Sequence, residues 1–533
     1  MSKRPHIVIF NPDEMRADVM SHLGNQAMTT PNLDKLATEE GVSFSRAYCQ
    51  NPVCVPSRCS FFTGLYPHVR GHRTMEYLLR PGEETLFSEL RRGGYYVWMN
   101  ARNDLLAGEI PGWADSHADE IYYGGNAPKA PGPVSGIERG AKGTKYYYSH
   151  FKGELALDEN GRNYNGDDET VDAAINVIKN PPTDKPMCLF LGLQFPHCPY
   201  GVEEPYFSAV DRSKLQPRVK LEECTGKSRI IERIHEYVGM DEFTEEEWDE
   251  LRAVYQGMCL KIDDQFGRLV AALKEAGIYD DTAIFVLSDH GDFAGDFGLP
   301  EKAQNAFEDC LTRVPLLVKP PKGVDFEPGI SDAIAELVDF YATALDFAGV
   351  PSSHIHFGRS LRRNLKEHDF VNRKYAACEG GRIPEEVHCD EYHSFPPGVP
   401  ETMEYYPKMM AQSDPIAHSK GIMFRGERYK YISRVSNQDE LYDLQEDPQE
   451  MHNLIDDPAY KDIVREMQFD MLKWLEATSD IVPFEYDARW TPEMLFHRMK
   501  RSIPPEKHEA VKKMILEGKG FPEIMSILSK EKE

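Results

Sequence analysis

The sequence predicts an α/β protein: a large mixed, mostly parallel sheet sandwiched by helices, with a smaller C-terminal α+β subdomain. Three observations carry this. Apolar, β-branched runs recur between residues 6 and 319, amphipathic helical patterns separate them, and after about residue 420 the text changes to short strands and turns.

The runs are HIVIFN (6–11), YYVWM (95–99), MCLFLGLQF (187–195), TAIFVLSDHG (282–291) and VPLLVK (314–319). Their nearly unbroken apolar character suits strands covered on both faces, as a parallel sheet requires. The longest helical pattern, 244–277, keeps Leu251, Val254, Tyr255, Met258, Ile262, Phe266, Leu269 and Leu273 at helical spacing, and Thr244 with Glu247 supplies a capping box. Residues 1–420 read as the main domain, interrupted by excursions at about 104–170 and 377–420 whose Gly, Pro, Tyr and charge suit pocket walls. A small subdomain spans 421–483, with a helix near 456–478, and the Pro-broken tail 484–533 reads as a packing or oligomer arm. There is no internal repeat or heptad array.

Of the 533 residues 41% are apolar and 28% charged, and no apolar run approaches the roughly 18 residues that span a bilayer. No secretory signal is visible before the strand at residue 6, so a cytoplasmic protein without a membrane partner is expected. Ten cysteines without a CxxC pair indicate neither a disulfide framework nor a zinc ribbon. The net charge of −27 disfavours nucleic acid and polyanionic polymers. A small anion is still acceptable, because a local cluster of cations outweighs a surface field screened beyond about 8 Å.

Parallel strands deliver their carboxyl ends to one sheet edge, where ligands bind. Two runs end there in acids: Asp13-Glu14 after HIVIFN, and Asp289-His290-Gly291-Asp292 after TAIFVLS. Such clusters offer hard oxygen ligands and one imidazole to a divalent cation. Taken singly, Asp13 also reads as a helix N-cap and Asp289 as a turn residue. CVPSRCSFFTG (54–64) reads as a turn feeding a short helix, with Pro56 in its first turn and Gly64 as its C-cap. Cys54 then sits at a helix N-terminus, where free N–H groups and Arg58 favour an anion. A buried core thiol is the plainer reading of an isolated cysteine.

CVPSR followed by CSFFTG resembles the signature of the type I sulfatases, formylglycine-dependent members of the alkaline phosphatase superfamily. The resemblance continues in order through PNLDKLATEEGVSF (31–44), YPHVRG (66–71), FPHCPY (195–200), SDHGD (288–292), Lys302 and LYDLQEDPQEMHNL (441–454). It implies a sulfuric ester hydrolase whose Cys54 is oxidised by a formylglycine-generating maturase to Cα-formylglycine, the hydrated aldehyde supplying the nucleophilic oxygen. It further implies one divalent cation, calcium before magnesium or manganese, held by Asp13, Glu14, Asp289, His290 and the modified Cys54. Arg58 would steady the aldehyde hydrate, and His197 and Lys302 would contact the sulfate, with His197 as general acid.

The chain also departs from the family pattern. Glu14 stands where Asp or Gln is common, and a Gly-Lys-Trp-His segment is replaced by one that puts Arg102 at the Lys position and Asp104 at the His position. Arg102 keeps the positive charge in a broader fork. Asp104 meets a substrate hydroxyl, orients Arg102 or forms a loop salt bridge, and His72 either reaches the substrate or makes a structural hydrogen bond. HCDEYH (388–393) has metal-site residue types without metal-site spacing, and Asp263-Asp264 read as a solvated or capping face. The expected substrate is a small sulfated sugar. The alternatives are a phosphonate or phosphate mono- or diesterase of the same superfamily, and a non-catalytic binding protein that retains the fold.

Overall fold

The first apolar run is a strand, β1 (His6–Asp13), with all eight residues buried. The computed structural model describes residues 4–530 apart from 137–138, 395–397, 437, 485–486 and 488. Along the chain follow β2 (Val42–Tyr48), β3 (Tyr96–Asn100), β4 (Glu120–Tyr122), β5 (Phe151–Leu155), β6 (Met187–Pro196), β7 (Tyr200–Glu203), β8 (Thr282–Leu287), β9 (Leu316–Lys319) and β10 (Gly329–Glu336). Eight of these form one sheet in the order β10-β2-β9-β8-β1-β6-β3-β4, while β5 and β7 pair separately. Within the sheet only β9 runs antiparallel to its neighbours, so the sheet is mixed and mostly parallel, as expected.

Residues of β1 alternate between two cores. Val8 and Phe10 join the core that contains the helix Glu245–Glu275, and Ile7 and Ile9 join the core that contains the helices Cys54–Thr63 and Leu337–Ala348. The long helix begins at the expected capping box, with Thr244 accepting from the Glu247 N–H, and its Phe266 meets Phe10 edge to face at 5.3 Å. Asp263 on this helix accepts the N–H groups of Asn32 (3.2 Å) and Leu33 (2.8 Å), so it caps a neighbouring helix, Pro31–Lys35.

The five apolar runs all became sheet strands, but β2, β4 and β10 escaped the pattern. VSFSRAY and GISDAIAE interrupt their apolar residues with Ser, Arg and Asp, and β4 and β10 are the two edges of the sheet. An edge strand needs less apolar surface, so its signal is weaker.

A second, antiparallel sheet consists of β11 (Ala376–Gly380), β12 (Gly421–Arg425), β13 (Tyr429–Arg434) and β14 (Glu440–Asp443). Phe424 and Tyr431 cluster with Met467 and Met471 of the helix Lys461–Thr478. Residues 1–481 make one compact unit. Residues 482–533 make another, whose helices Pro492–Met499, His508–Leu516 and Phe521–Lys530 gather around Met499, Val511, Ile515 and Ile524. Among the described residues no helix is long and apolar enough to cross a membrane.

Three parallel neighbours, β8, β1 and β6, end side by side. Their carboxyl ends lead into Ser288-Asp289-His290, Asp13-Glu14 and His197, which puts these side chains on one sheet edge.

Candidate active site

Cys54 is the first residue of the helix Cys54–Thr63, whose ten residues are all buried and which ends on Gly64 in the left-handed conformation (φ 70°). That placement brings the Cys54 Sγ to 3.1 Å from His290 Nε2 and 3.6 Å from Asp13 Oδ1. Two glycines permit the approach of the surrounding loops. A Cβ on Gly291 would lie 2.0 Å from the Cys310 carbonyl oxygen, and one on Gly192 would lie 2.2 Å from that of Arg102. Any side chain at either position would push His290 or Arg102 out of register.

Arg58, fully buried one turn into the helix, ties the two acidic strand ends together. Its Nε donates to Asp289 Oδ2 (2.7 Å) and its Nη2 to Asp13 Oδ2 (2.8 Å). Arg102 donates to the same Asp13 oxygen from both nitrogens (2.7 and 3.0 Å). Burial by itself would raise the Asp13 pKa, but Arg102 and Arg58 overcome it and hold the carboxyl well below the usual range. Asp104, in a left-handed backbone (φ 53°), lies 3.4 Å from Arg58 and 3.8 Å from Arg102. These are loop ion pairs, and the second also sets Asp104 against Arg102. Burial, reinforced by Asp13, pushes the Cys54 thiol well up, which disfavours a thiolate nucleophile.

The donor atoms of Asp13, Cys54, Asp289 and His290 all lie within 4.8 Å of one another. His290 Nδ1 faces the Gly291 carbonyl oxygen at 2.9 Å. A carbonyl only accepts, so the ring proton sits on Nδ1 and the Nε2 lone pair points at Asp13 and Cys54. Buried acceptors of Asp13, Asp289 and His290 that converge on residue 54 suit a hard divalent cation once that residue no longer offers a thiol proton, and the carbonyl behind His290 fixes its tautomer for that task.

Glu14 goes elsewhere. Its backbone is left-handed (φ 69°), its N–H donates to Asp289 Oδ1 (3.2 Å), and its Oε2 accepts from Lys302 Nζ at 3.1 Å. The structure therefore turns Glu14 toward Lys302, outside the four-residue cluster. Glu14, His197 and Cys198 form a second close group of metal-ligating types, but the Lys302 ammonium already contacts Glu14 and His197. Burial raises the Glu14 carboxyl well above its ordinary pKa, with Lys302 opposing.

His197 Nε2 is 2.8 Å from Lys302 Nζ, and its Nδ1 is 2.6 Å from the Cys198 carbonyl. The same reasoning puts the proton on Nδ1, so Nε2 accepts from Lys302. Burial, with Lys302 beside it, depresses His197 to about 3. In this arrangement the proton stands on Lys302, whose pKa is raised despite burial by the acids around it.

His72 has both ring nitrogens occupied, by the Tyr77 carbonyl (3.0 Å) and Glu83 (2.9 Å). In HCDEYH, Asp390 pairs with Arg382 and with His393 Nδ1 (2.8 Å), so the segment staples the excursion. Asp292 accepts from the Tyr200 hydroxyl at 2.8 and 2.9 Å and stays out of the cluster. Sequence reasoning passed over Glu301 and Lys408, which meet beside Lys302. Glu301 had only its adjacency to Lys302 as a signal, and Lys408 had none.

The sulfatase family model matches residues 5–350, and a model of the C-terminal part of N-sulphoglucosamine sulphohydrolase matches 402–477. An arylsulfatase of Clostridium perfringens is 25% identical, covering 90% of this chain and 95% of its own. The N-acetylglucosamine-6-O-sulfatase of Bacteroides thetaiotaomicron is 24% identical over 90% of this chain and 86% of its own. Among solved structures, a phosphonate monoester hydrolase of Agrobacterium radiobacter superposes with a TM-score of 0.70 at 20% identity, over 90% of this chain and 97% of that one.

Proposed function

We propose, from the premise that this chain belongs to the sulfatase family and is a sulfuric ester hydrolase, that it cleaves a sulfate monoester of a small sugar with a formylglycine made from Cys54 and one divalent cation. The observation that carries the reading is the convergence of Asp13, Asp289, His290 and Cys54 at a helix N-terminus, flanked by Arg58, Arg102 and Lys302.

Asp13, Asp289 and His290, with residue 54, would hold the cation, and their oxygen-dominated donors favour calcium over softer metals. When bound, the cation supplies Lewis acidity and charge neutralisation, and the formylglycine supplies an oxygen nucleophile. The chain's own residues do the rest. Arg58 locks the two carboxylates in register and adds fixed positive charge where sulfuryl oxygens gather. Arg102 is part-exposed, so it meets the ester from the open side. Lys302 carries the proton nearest the site and donates it toward the leaving oxygen, while neutral His197 holds the ammonium in line.

The sugar assignment is supported by the N-acetylglucosamine-6-O-sulfatase relative and by the tyrosines of the excursions. The acidic chain favours a small substrate over a sulfated polymer. The likeness to a phosphonate monoester hydrolase favours a second reading, phosphonate or phosphate ester cleavage by the same groups. Protein co-expressed with a formylglycine-generating maturase should show an aldehyde in the Cys54 peptide by mass spectrometry and one divalent ion per chain. It should release sulfate from sugar sulfates faster than it cleaves an aryl phosphonate. An unmodified thiol in fully active enzyme would sink the formylglycine role, and a preference for phosphonate would select the second reading.

A further inference from the structure

Lys302 Nζ donates to His197 Nε2 (2.8 Å) and Glu14 Oε2 (3.1 Å), and Glu301 Oε1 lies 2.9 Å away as its ion-pair partner. An ammonium held in this ion pair has to move off Glu301 before it can serve an ester oxygen. Glu301 is the acceptor with another partner. The same Oε1 receives Lys408 Nζ at 3.0 Å. Its backbone is anchored independently of both lysines, in the left-handed region (φ 66°), by its N–H to the Tyr200 hydroxyl (2.7 Å) and by its carbonyl to the Phe293 N–H (2.9 Å).

Lys408 belongs to the helix Tyr406–Gln412, inside the second excursion. Its ammonium sits 4.3 Å from the centre of the Tyr405 ring, which stacks on His150 at 5.6 Å, at the edge of β5 in the first excursion. The side chain is only 12% exposed, so its orientation is set by these contacts. Both excursions therefore aim one buried cation at the carboxylate that restrains Lys302.

We infer that Lys408 is a positioning residue: it takes over the charge of Glu301 when the ester enters, so that Lys302 is free to turn one proton to the leaving oxygen. This rests on the ester-hydrolase reading above, with Lys302 at the leaving group. Without Lys408, Glu301 has only Lys302 to pair with and holds it back. The loss then falls on kcat, and it grows with the basicity of the leaving group, because a poor leaving group depends most on the proton.

The test uses matured full-length enzyme with aryl and alkyl esters that span leaving-group basicity. The wild type is assayed first on sulfates and phosphonates, and whichever ester it cleaves is used for the variants. A failed sulfate reading thus shows in the wild type, and a failed positioning role only in the variants. For Lys408→Ala the expected kcat loss is about tenfold or more on alkyl esters and about threefold or less on nitrophenyl esters, with KM changed by less than about threefold. Lys408→Arg should restore most of the loss. The double variant Lys408→Ala/Glu301→Gln should be faster than Lys408→Ala alone, since removing the carboxylate charge frees Lys302. Equal losses on both leaving groups, or a double variant no faster than the single one, overturns the proposal. A misfolded Lys408→Ala would show in circular dichroism, and the Lys408→Arg and Glu301→Gln variants then decide the matter through the same leaving-group dependence.

Discussion

Lys302 and Lys430 are both buried lysines that lie between two acids, yet they do different work. Lys430, on β13, donates to Asp309 Oδ1 (2.6 Å) and the Phe307 carbonyl (2.9 Å) and pairs with Glu450. Its acceptors are tied down from behind: Phe307 offers backbone, and Glu450 Oε2 receives the Asp309 N–H at 2.7 Å. Nearby, Arg434 faces Glu440 (2.7 Å), which also accepts from the Tyr442 hydroxyl (2.7 Å). The acids of this network are also held by backbone and hydroxyl donors, which is how a buried ion network becomes structural. Around Lys302 every acceptor is a side chain, and one has a competing cation. Beside it, acceptors of Asp13 and His290 both face residue 54. Pairing alone therefore does not mark function. Acceptors that can change partners, at the carboxyl edge of a parallel sheet, do.

The comparison can be broken or sharpened in four ways. The largest effect is expected for Cys54→Ala, which should lower turnover on an aryl sulfate by on the order of 10³ or more while the melting temperature barely moves. Residual activity close to wild type would place the chemistry elsewhere. Next, Lys302→Met should cost roughly 10² to 10³ in kcat, most on alkyl sulfates, since it removes the proposed proton donor. Third, Lys430→Met should show the converse. It leaves Asp309 and Glu450 buried against each other, so denaturant titration should record a loss of about 3–5 kcal/mol, with kcat per folded molecule unchanged. If Lys302→Met destabilised as much as Lys430→Met and left kcat intact, the distinction between the two sites would fall.

The smallest effect concerns pH. Burial lifts the Glu450 carboxyl to about 7, with Lys430 opposing. A folded-state pKa above the unfolded value contributes stability below the unfolded pKa, and that contribution is lost as pH rises through the folded one. Wild-type stability should therefore fall by about 1 kcal/mol from pH 6 to pH 8 through this group. Glu450→Gln should flatten that slope, and an unchanged slope in urea titrations at the two pH values would assign it to other groups.

Much of this was legible in the sequence for a physical reason. Strands buried on both faces must be apolar, so β1, β3, β6, β8 and β9 announced themselves, and an acid that ends such a strand is conspicuous. That made Asp13, Asp289 and His290 readable, and a helix start with Pro in its first turn made Cys54 readable. The edge strands β4 and β10 carried too little apolar pattern to be seen. Adjacency to Asp13 does not show where Glu14 goes: the left-handed turn at Glu14 carries its carboxylate to Lys302.

The sequence by itself determined the α/β class, the strand ends that bear acids and the helix that begins at Cys54, because periodicity, capping and strand termination are local. Only the tertiary structure decided which acceptors converge, where the protons sit on His197 and His290, and that Lys408 competes for the carboxylate beside Lys302. Those depend on distances between segments far apart in the chain, set by sheet order and by how the two excursions fold back, and no local pattern encodes them.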